Sequence, residues 1–169
     1  HYNILDGLRG AAALMVVWYH VFEGFAFAEG TNGVEGGGLI DVFNHGYLAV
    51  DFFFMLSGFV ISYAYDDRWN KMSLSDFFKR RLVRLHPMIV MGAIIGTVTF
   101  LLGGCMKWDG SVTPMSGVAL AFFLTCCFIP AWPGAMHEVR GNGEMFPLNG
   151  PAWSLFFEYI GNICYALFI

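Results

Sequence analysis

Charge is what this sequence has least of. Only 13% of its 169 residues are Asp, Glu, Lys or Arg, against 57% hydrophobic and 18% aromatic. A soluble domain carries about a quarter charged residues, so a water-exposed globular surface is excluded. Eighteen Phe against nine Lys plus Arg make lipid the expected solvent. The few basic residues form no run long enough to grip a nucleic acid, which removes that partner. Cysteine is scarce as well. Cys105, Cys126, Cys127 and Cys164 have no CxxC spacing and three lie in apolar runs, which speaks for structural thiols over metal ligands or disulfides. His45, His86 and His137 add no metal-ligand spacing, so no metal is expected. A Gly-rich phosphate loop and a GxSxG nucleophile elbow are both missing. So is a signal peptide: the chain opens at His1 and stops inside the apolar run 164–169, as expected of the front piece of a longer protein.

What is present is a series of long apolar runs. A spanning helix needs about 20 mostly apolar residues, and five segments come near that: 8–28, 46–65, 87–104, 116–131 and 152–169. The expected fold is all-α, a polytopic transmembrane bundle of about five spans. The fourth segment is short and could instead be tilted, re-entrant or buried among its neighbours. Loop 29–45 carries Glu29, Glu35 and Asp41 and no Lys or Arg, whereas Arg68, Lys71, Lys79, Arg80, Arg81 and Arg84 crowd one segment. The positive-inside rule places the basic segment and the N-terminus in the cytoplasm and the acidic loop outside. Parity then puts loop 132–151 in the cytoplasm, provided the fourth segment spans.

The basic segment has its own order. Ser73 followed by Asp76 reads as a capping box with Asp replacing the favoured Glu. Leu74, Phe77, Phe78 and Leu82 recur at helical spacing, with Arg80, Arg81 and Arg84 on other faces. This predicts an amphipathic helix lying on the inner surface, after which Pro87 starts the third span, a position Pro tolerates.

Four groups of residues could carry chemistry. Arg9 and His20 fall on nearly one face of the first helix with roughly 16 Å of rise between them, which sets Arg9 at a membrane edge and His20 near mid-bilayer. A titratable imidazole at that depth is a functional candidate, either a core histidine or a general base. Asp51, five residues into the second span, could orient the imidazole, cap the helix or sit in interfacial water. Ser154, Glu158 and Asn162 make a polar stripe at i, i+4, i+8, a hydrogen-bond seam or a substrate site. Arg80, Arg81 and Arg84 could grip phosphates through their guanidinium forks or simply mark topology and touch lipid headgroups.

Taken in order, four motifs resemble the N-terminal half of the acyltransferase-3 family, bacterial membrane proteins that acylate cell-surface carbohydrates. They are Leu5-Asp-Gly-Leu-Arg-Gly10 with His20, Asp51-Phe-Phe-Phe-Met-Leu-Ser-Gly-Phe59, Phe78-Lys-Arg-Arg-Leu-Val-Arg-Leu-His-Pro87, and Asn149-Gly-Pro-Ala-Trp-Ser-Leu-Phe-Phe-Glu158. The resemblance implies that residues 1–169 are the N-terminal part of a single membrane acyltransferase domain, truncated at its C-terminal end, in a plasma (inner) membrane. It implies an acyl-CoA donor, usually acetyl-CoA, engaged from the cytoplasm, and a hydroxyl of a glycan or lipid-linked sugar as acceptor. His20 becomes the catalytic residue, with Glu158 and Asp51 as partners that hold or polarise it. Arg9 matches the paired basic position, Arg80, Arg81 and Arg84 become contacts for the donor's phosphates, and Trp153 and Ser154 shape the site. Two other classes compete: a proton-coupled transporter or flippase using His20, Asp51 and Glu158 as a relay, and a non-catalytic scaffold whose polar stripes only knit helices together.

Overall fold

The computed structural model describes residues 3–28, 45–65 and 72–168, with backbone alone at 3 and 22–28. The acidic loop residues Glu29, Glu35 and Asp41, and Arg68 and Lys71 of the basic segment, lie outside these described residues. Among the described residues the regular structure is five helices: α1 (Asn3–Ala28), α2 (Tyr47–Tyr65), α3 (Leu74–Leu102), α4 (Met115–Cys126) and α5 (Ala152–Phe168). Three of them, α1, α2 and α3, are long and apolar enough to cross a membrane. The chain divides into two units, residues 1–68 and 69–169.

In the first unit α1 packs on α2 through small residues. Ala12 and Ala49 are buried, and a Cβ on Gly46 would collide with the Tyr19 Cβ and approach the Met15 carbonyl at 2.8 Å. Without lipid-driven segregation, spanning helices associate through such close backbone approach. The large apolar side chains point outward instead: Leu14, Val17, Trp18, Val21, Met55 and Phe59 are exposed, as a lipid-facing surface requires.

The second unit is organised by α3. Ser73 is its N-cap, as expected: the Asp76 N–H donates to Ser73 Oγ at 3.1 Å, while Asp76 Oδ2 accepts from the Ser73 hydroxyl at 2.8 Å in place of the backbone N–H of a full capping box. The helix then runs 29 residues without a break, with Pro87 inside it. A separate surface helix ending before Pro87 is therefore corrected to one helix, the amphipathic segment being its first turns. Pro87 lacks an N–H and leaves the Val83 carbonyl without its helical donor. The buried stripe Phe77, Arg81, Leu85, Ile89, Ala93 continues at four-residue steps on the other side, and packing along it carries the helix unbroken past a residue that spanning helices tolerate. The expected apolar face is corrected too, since Leu74 and Leu82 are exposed while Arg81 lies in the stripe.

Helix α4 has 12 residues, about 18 Å, too short for a hydrocarbon core of about 30 Å. Its two flanking loops meet. The Trp108 N–H donates to the Arg140 carbonyl at 2.9 Å, Thr113 Oγ1–H donates to the Val139 carbonyl at 2.8 Å, and the Arg140 guanidinium lies 5.4 Å from the Phe100 ring. Loop 132–151 thus returns to the α3 end from which loop 103–114 departs, and the parity argument that set the two on opposite sides does not hold. In the full-length protein with Cys127 and Cys164 replaced by Ser, we expect Asp109→Cys and Asn142→Cys to react with a membrane-impermeant maleimide from the same side. Labelling from opposite sides would restore the parity arrangement.

The return is packed rather than loose. Phe128 adopts φ +60, a left-handed conformation unusual for a bulky residue. Three rings hold it there: Phe146 at 5.1 Å, Phe156 at 5.6 Å and Tyr159 at 5.2 Å. Asn149 Nδ2–H then donates to the Ile89 carbonyl at 3.2 Å, and α5 starts three residues later. The Phe77 and Tyr165 rings, 6.0 Å apart, fix the other end, so α5 runs antiparallel to α3.

Candidate active site

The first unit carries His20 near the end of the α1–α2 pair. Its Nδ1 lies 2.8 Å from the Val16 carbonyl. A carbonyl can only accept, so Nδ1 carries the proton and Nε2 holds the basic lone pair. The Tyr19 ring meets the imidazole edge-on at 5.5 Å; Tyr47 stands 6.3 Å from Tyr19, and His45 5.6 Å from Tyr47. This aromatic collar of Tyr19, Tyr47 and His45 was not singled out from sequence; the adjacency of Tyr19 to His20, and the His45-Gly46-Tyr47 run, were its only signals.

Asp51 is not brought to His20. It is exposed on α2, about 7 Å further along that helix than the Gly46–Tyr19 contact, and the Nδ1 position it was to fill belongs to Val16. Arg9 pairs with Asp6 at 3.0 Å, one turn earlier. This pair, half-exposed, is worth a few tenths of a kcal/mol and orients Arg9 at the helix start.

In the second unit the three arginines separate. Arg80 and Arg84 are exposed. Arg81 is 2% exposed, with its guanidinium 5.8 Å from the Phe77 ring. Only the first two present open forks to a phosphate. The antiparallel register brings Glu158, some 10 Å before Tyr165, to the height of Arg84. A residue 74 positions further on thus belongs to the basic end of the unit. Trp153 is exposed and stacks edge-on with Phe157 at 6.2 Å. Ser154 Oγ–H donates back to the Pro151 carbonyl at 2.9 Å, closing the first turn of α5. Of the polar stripe, Ser154 and Glu158 are half-buried and Asn162 fully buried. Asn149, quoted above only as part of a motif, emerges as the residue that ties α5 to α3. No group of three or more His, Cys, Asp or Glu able to hold a metal ion occurs among the described residues.

Long apolar helices with small-residue contacts, outward-facing aliphatic side chains and a titratable residue on the first of them define a membrane protein. Its family follows from comparison: the family described as an acyltransferase domain matches residues 2–169, and the chain belongs to it. Among curated proteins it is 33% identical to "Protein 2 in picA locus" of Rhizobium radiobacter, over 96% of this chain and 80% of that one. It is 30% identical to the acyltransferase MdmB of Streptomyces mycarofaciens, over 92% of this chain. With the peptidoglycan O-acetyltransferase OatA of Listeria monocytogenes it shares 31% identity over 91% of this chain. The chain spans 36% of MdmB and 22% of OatA. No solved structure matches it significantly.

Proposed function

We propose that this chain is the N-terminal part of a membrane-bound O-acyltransferase domain that moves an acyl group, acetyl in the simplest case, from acyl-CoA to a hydroxyl of a cell-surface or lipid-linked carbohydrate. The observation that carries the reading is the His20 hydrogen bond to Val16, which fixes one tautomer and leaves the Nε2 lone pair free on an exposed ring within the apolar stretch 11–22 of α1. The family match and the names of MdmB and OatA support the acyl-transfer class.

In this mechanism Nε2 takes the proton of the acceptor hydroxyl as its oxygen attacks the thioester carbonyl. The C–S bond breaks, and the CoA thiolate leaves with the proton from the imidazolium. The same lone pair could carry the acyl group in a two-step route. Arg80 and Arg84 hold the donor's phosphates by charge-assisted hydrogen bonds, with the basic end and the N-terminus cytoplasmic in the plasma membrane. Within the second unit Glu158, at the height of Arg84, steadies the donor-binding arginines, and Trp153 and Ser154 shape the substrate pocket on α5.

Mass spectrometry of surface glycans from cells with and without the gene product tests the reading. Loss of an acyl mass on deletion, restored by the wild-type gene, supports it; unchanged glycans together with transport of an unmodified substrate would favour the relay. For the arginines, Arg84→Ala in the full-length protein is expected to raise the apparent KM for acyl-CoA about tenfold and leave that for the acceptor unchanged. Equal effects on both would return Arg84 to lipid contact.

A further inference from the structure

Asn162 is 0% exposed, and neither its Nδ2 nor its Oδ1 meets a hydrogen-bond partner. One turn earlier on α5, the Tyr159 hydroxyl is also buried and unmet. A buried polar group left this way forfeits its bonds to water without replacement, and each such group needs a reason. Ordinary helix-knitting does not supply one here, because a knitting amide would be bonded across the seam.

Position supplies the reason. Phe77 against Tyr165 and Ile89 against Asn149 set the register of α3 and α5. One turn inward from the first contact, Asn162 comes level with Arg81, within the basic end of the unit, while Arg80 and Arg84 stand exposed beside it. A ligand suited to this arrangement leaves anionic charge at the exposed arginines and sends a slender neutral chain between the helices. That chain must offer both a donor and an acceptor to a carboxamide, and an acceptor to a phenol. A secondary amide does both. We infer that the α3–α5 seam admits the amide-bearing pantetheine arm of the acyl-CoA donor, with Asn162 pairing one of its amides through Nδ2–H and Oδ1, and Tyr159 donating to a carbonyl. This rests on acyl-CoA being the donor. In the present structure both groups are buried, Tyr159 with its ring on Phe128; Asn149 pins α5 at its start, so the arm enters by parting the helices toward the Phe77–Tyr165 end.

The test uses the full-length protein in detergent and the variant Asn162→Leu, which keeps the volume and removes the hydrogen-bonding atoms. Three results are expected. Without ligand, its thermal midpoint equals or exceeds that of the wild type, since unmet polar atoms have gone. The apparent KM for acetyl-CoA rises about tenfold or more with the acceptor KM unchanged. The rise in thermal midpoint caused by CoA shrinks toward that caused by 3′-phosphoadenosine 5′-diphosphate, which carries all three phosphates but no arm; the response to that nucleotide itself does not change. Tyr159→Phe, which deletes a single oxygen, moves the CoA response the same way by a smaller amount and serves if Asn162→Leu is poorly produced. A wild-type donor KM and an undiminished CoA response in either variant would overturn the inference while leaving acyl-CoA as donor. Absence of acyl-CoA-dependent transfer by the wild type would instead remove the reading on which it rests.

Discussion

His20→Ala in the full-length protein is expected to lower acyl transfer by a factor of about 10²–10⁴, the usual contribution of a positioned general base. Abundance in the membrane should not change, because the ring is exposed and its one hydrogen bond is to a helix carbonyl one turn away. Two further variants separate chemistry from packing. His20→Asn keeps an N–H near the place of Nδ1 and can still donate to Val16, while His20→Gln places an amide nitrogen nearer the place of Nε2. Neither carries a basic lone pair, so both should be as inactive as the alanine variant. The knitting role predicts the reverse, with Asn close to wild type. Apparent KM values for donor and acceptor should change little in all three variants, since the lost interaction belongs to the transition state. Transfer near the wild-type rate in both His20→Asn and His20→Gln would end His20's part in the reaction.

Much of this was open to reading from the residues, and the parts that were not share one cause. Apolar runs announced α1, α2 and the upper part of α3, because lipid as solvent leaves few alternatives to a helix of that length. Ser73 and Asp76 announced where α3 begins, since a cap is a local interaction with local partners. What failed depended on distant partners. Leu74, Phe77, Phe78 and Leu82 made a plausible apolar stripe, but the seam runs through Phe77, Arg81 and Leu85 because α5, seventy residues on, lies against that side. Pro87 looked like a beginning because its missing N–H is local, whereas the packing that carries the helix past it is not. Loop 132–151 followed parity until the bonds of Arg140 and Val139 to Trp108 and Thr113 returned it to the other end. For the same reason Asp51 seemed a fit partner for His20 by height alone, although the Val16 carbonyl four residues earlier already occupied Nδ1.

Gly96→Ala should be the most damaging single-methyl change in the second unit. Gly92 and Gly96 are spaced as in a helix-pairing motif, yet what lies on them is the irregular stretch Leu148–Asn149. A Cβ at position 96 would strike the Leu148 backbone carbonyl. Leu148 is buried, and its neighbour Asn149 is tied to the Ile89 carbonyl, so neither side can yield without moving the start of α5. Overpacking ordinarily costs about 1–3 kcal/mol; a collision between two fixed backbones belongs at or above the top of that range. A Cβ at Gly92 would instead lie 2.6 Å from Asn149 Nδ2 and 2.9 Å from its Cγ, a side chain that can turn away at the loss of one hydrogen bond, about 1 kcal/mol. Asn149→Ala makes the distinction sharp. The double variant Gly92→Ala/Asn149→Ala should be less destabilised than the sum of its parts, because the obstacle has been removed, whereas Gly96→Ala/Asn149→Ala should gain no such relief. Gly58→Ala on α2, with nothing within 4 Å of the added carbon, is the control and should be neutral or stabilising by up to about 1 kcal/mol through helix propensity. Unfolding of the full-length protein in detergent reads all six variants, and equal stability of Gly96→Ala and Gly58→Ala would show that Leu148 does not rest on α3 as described.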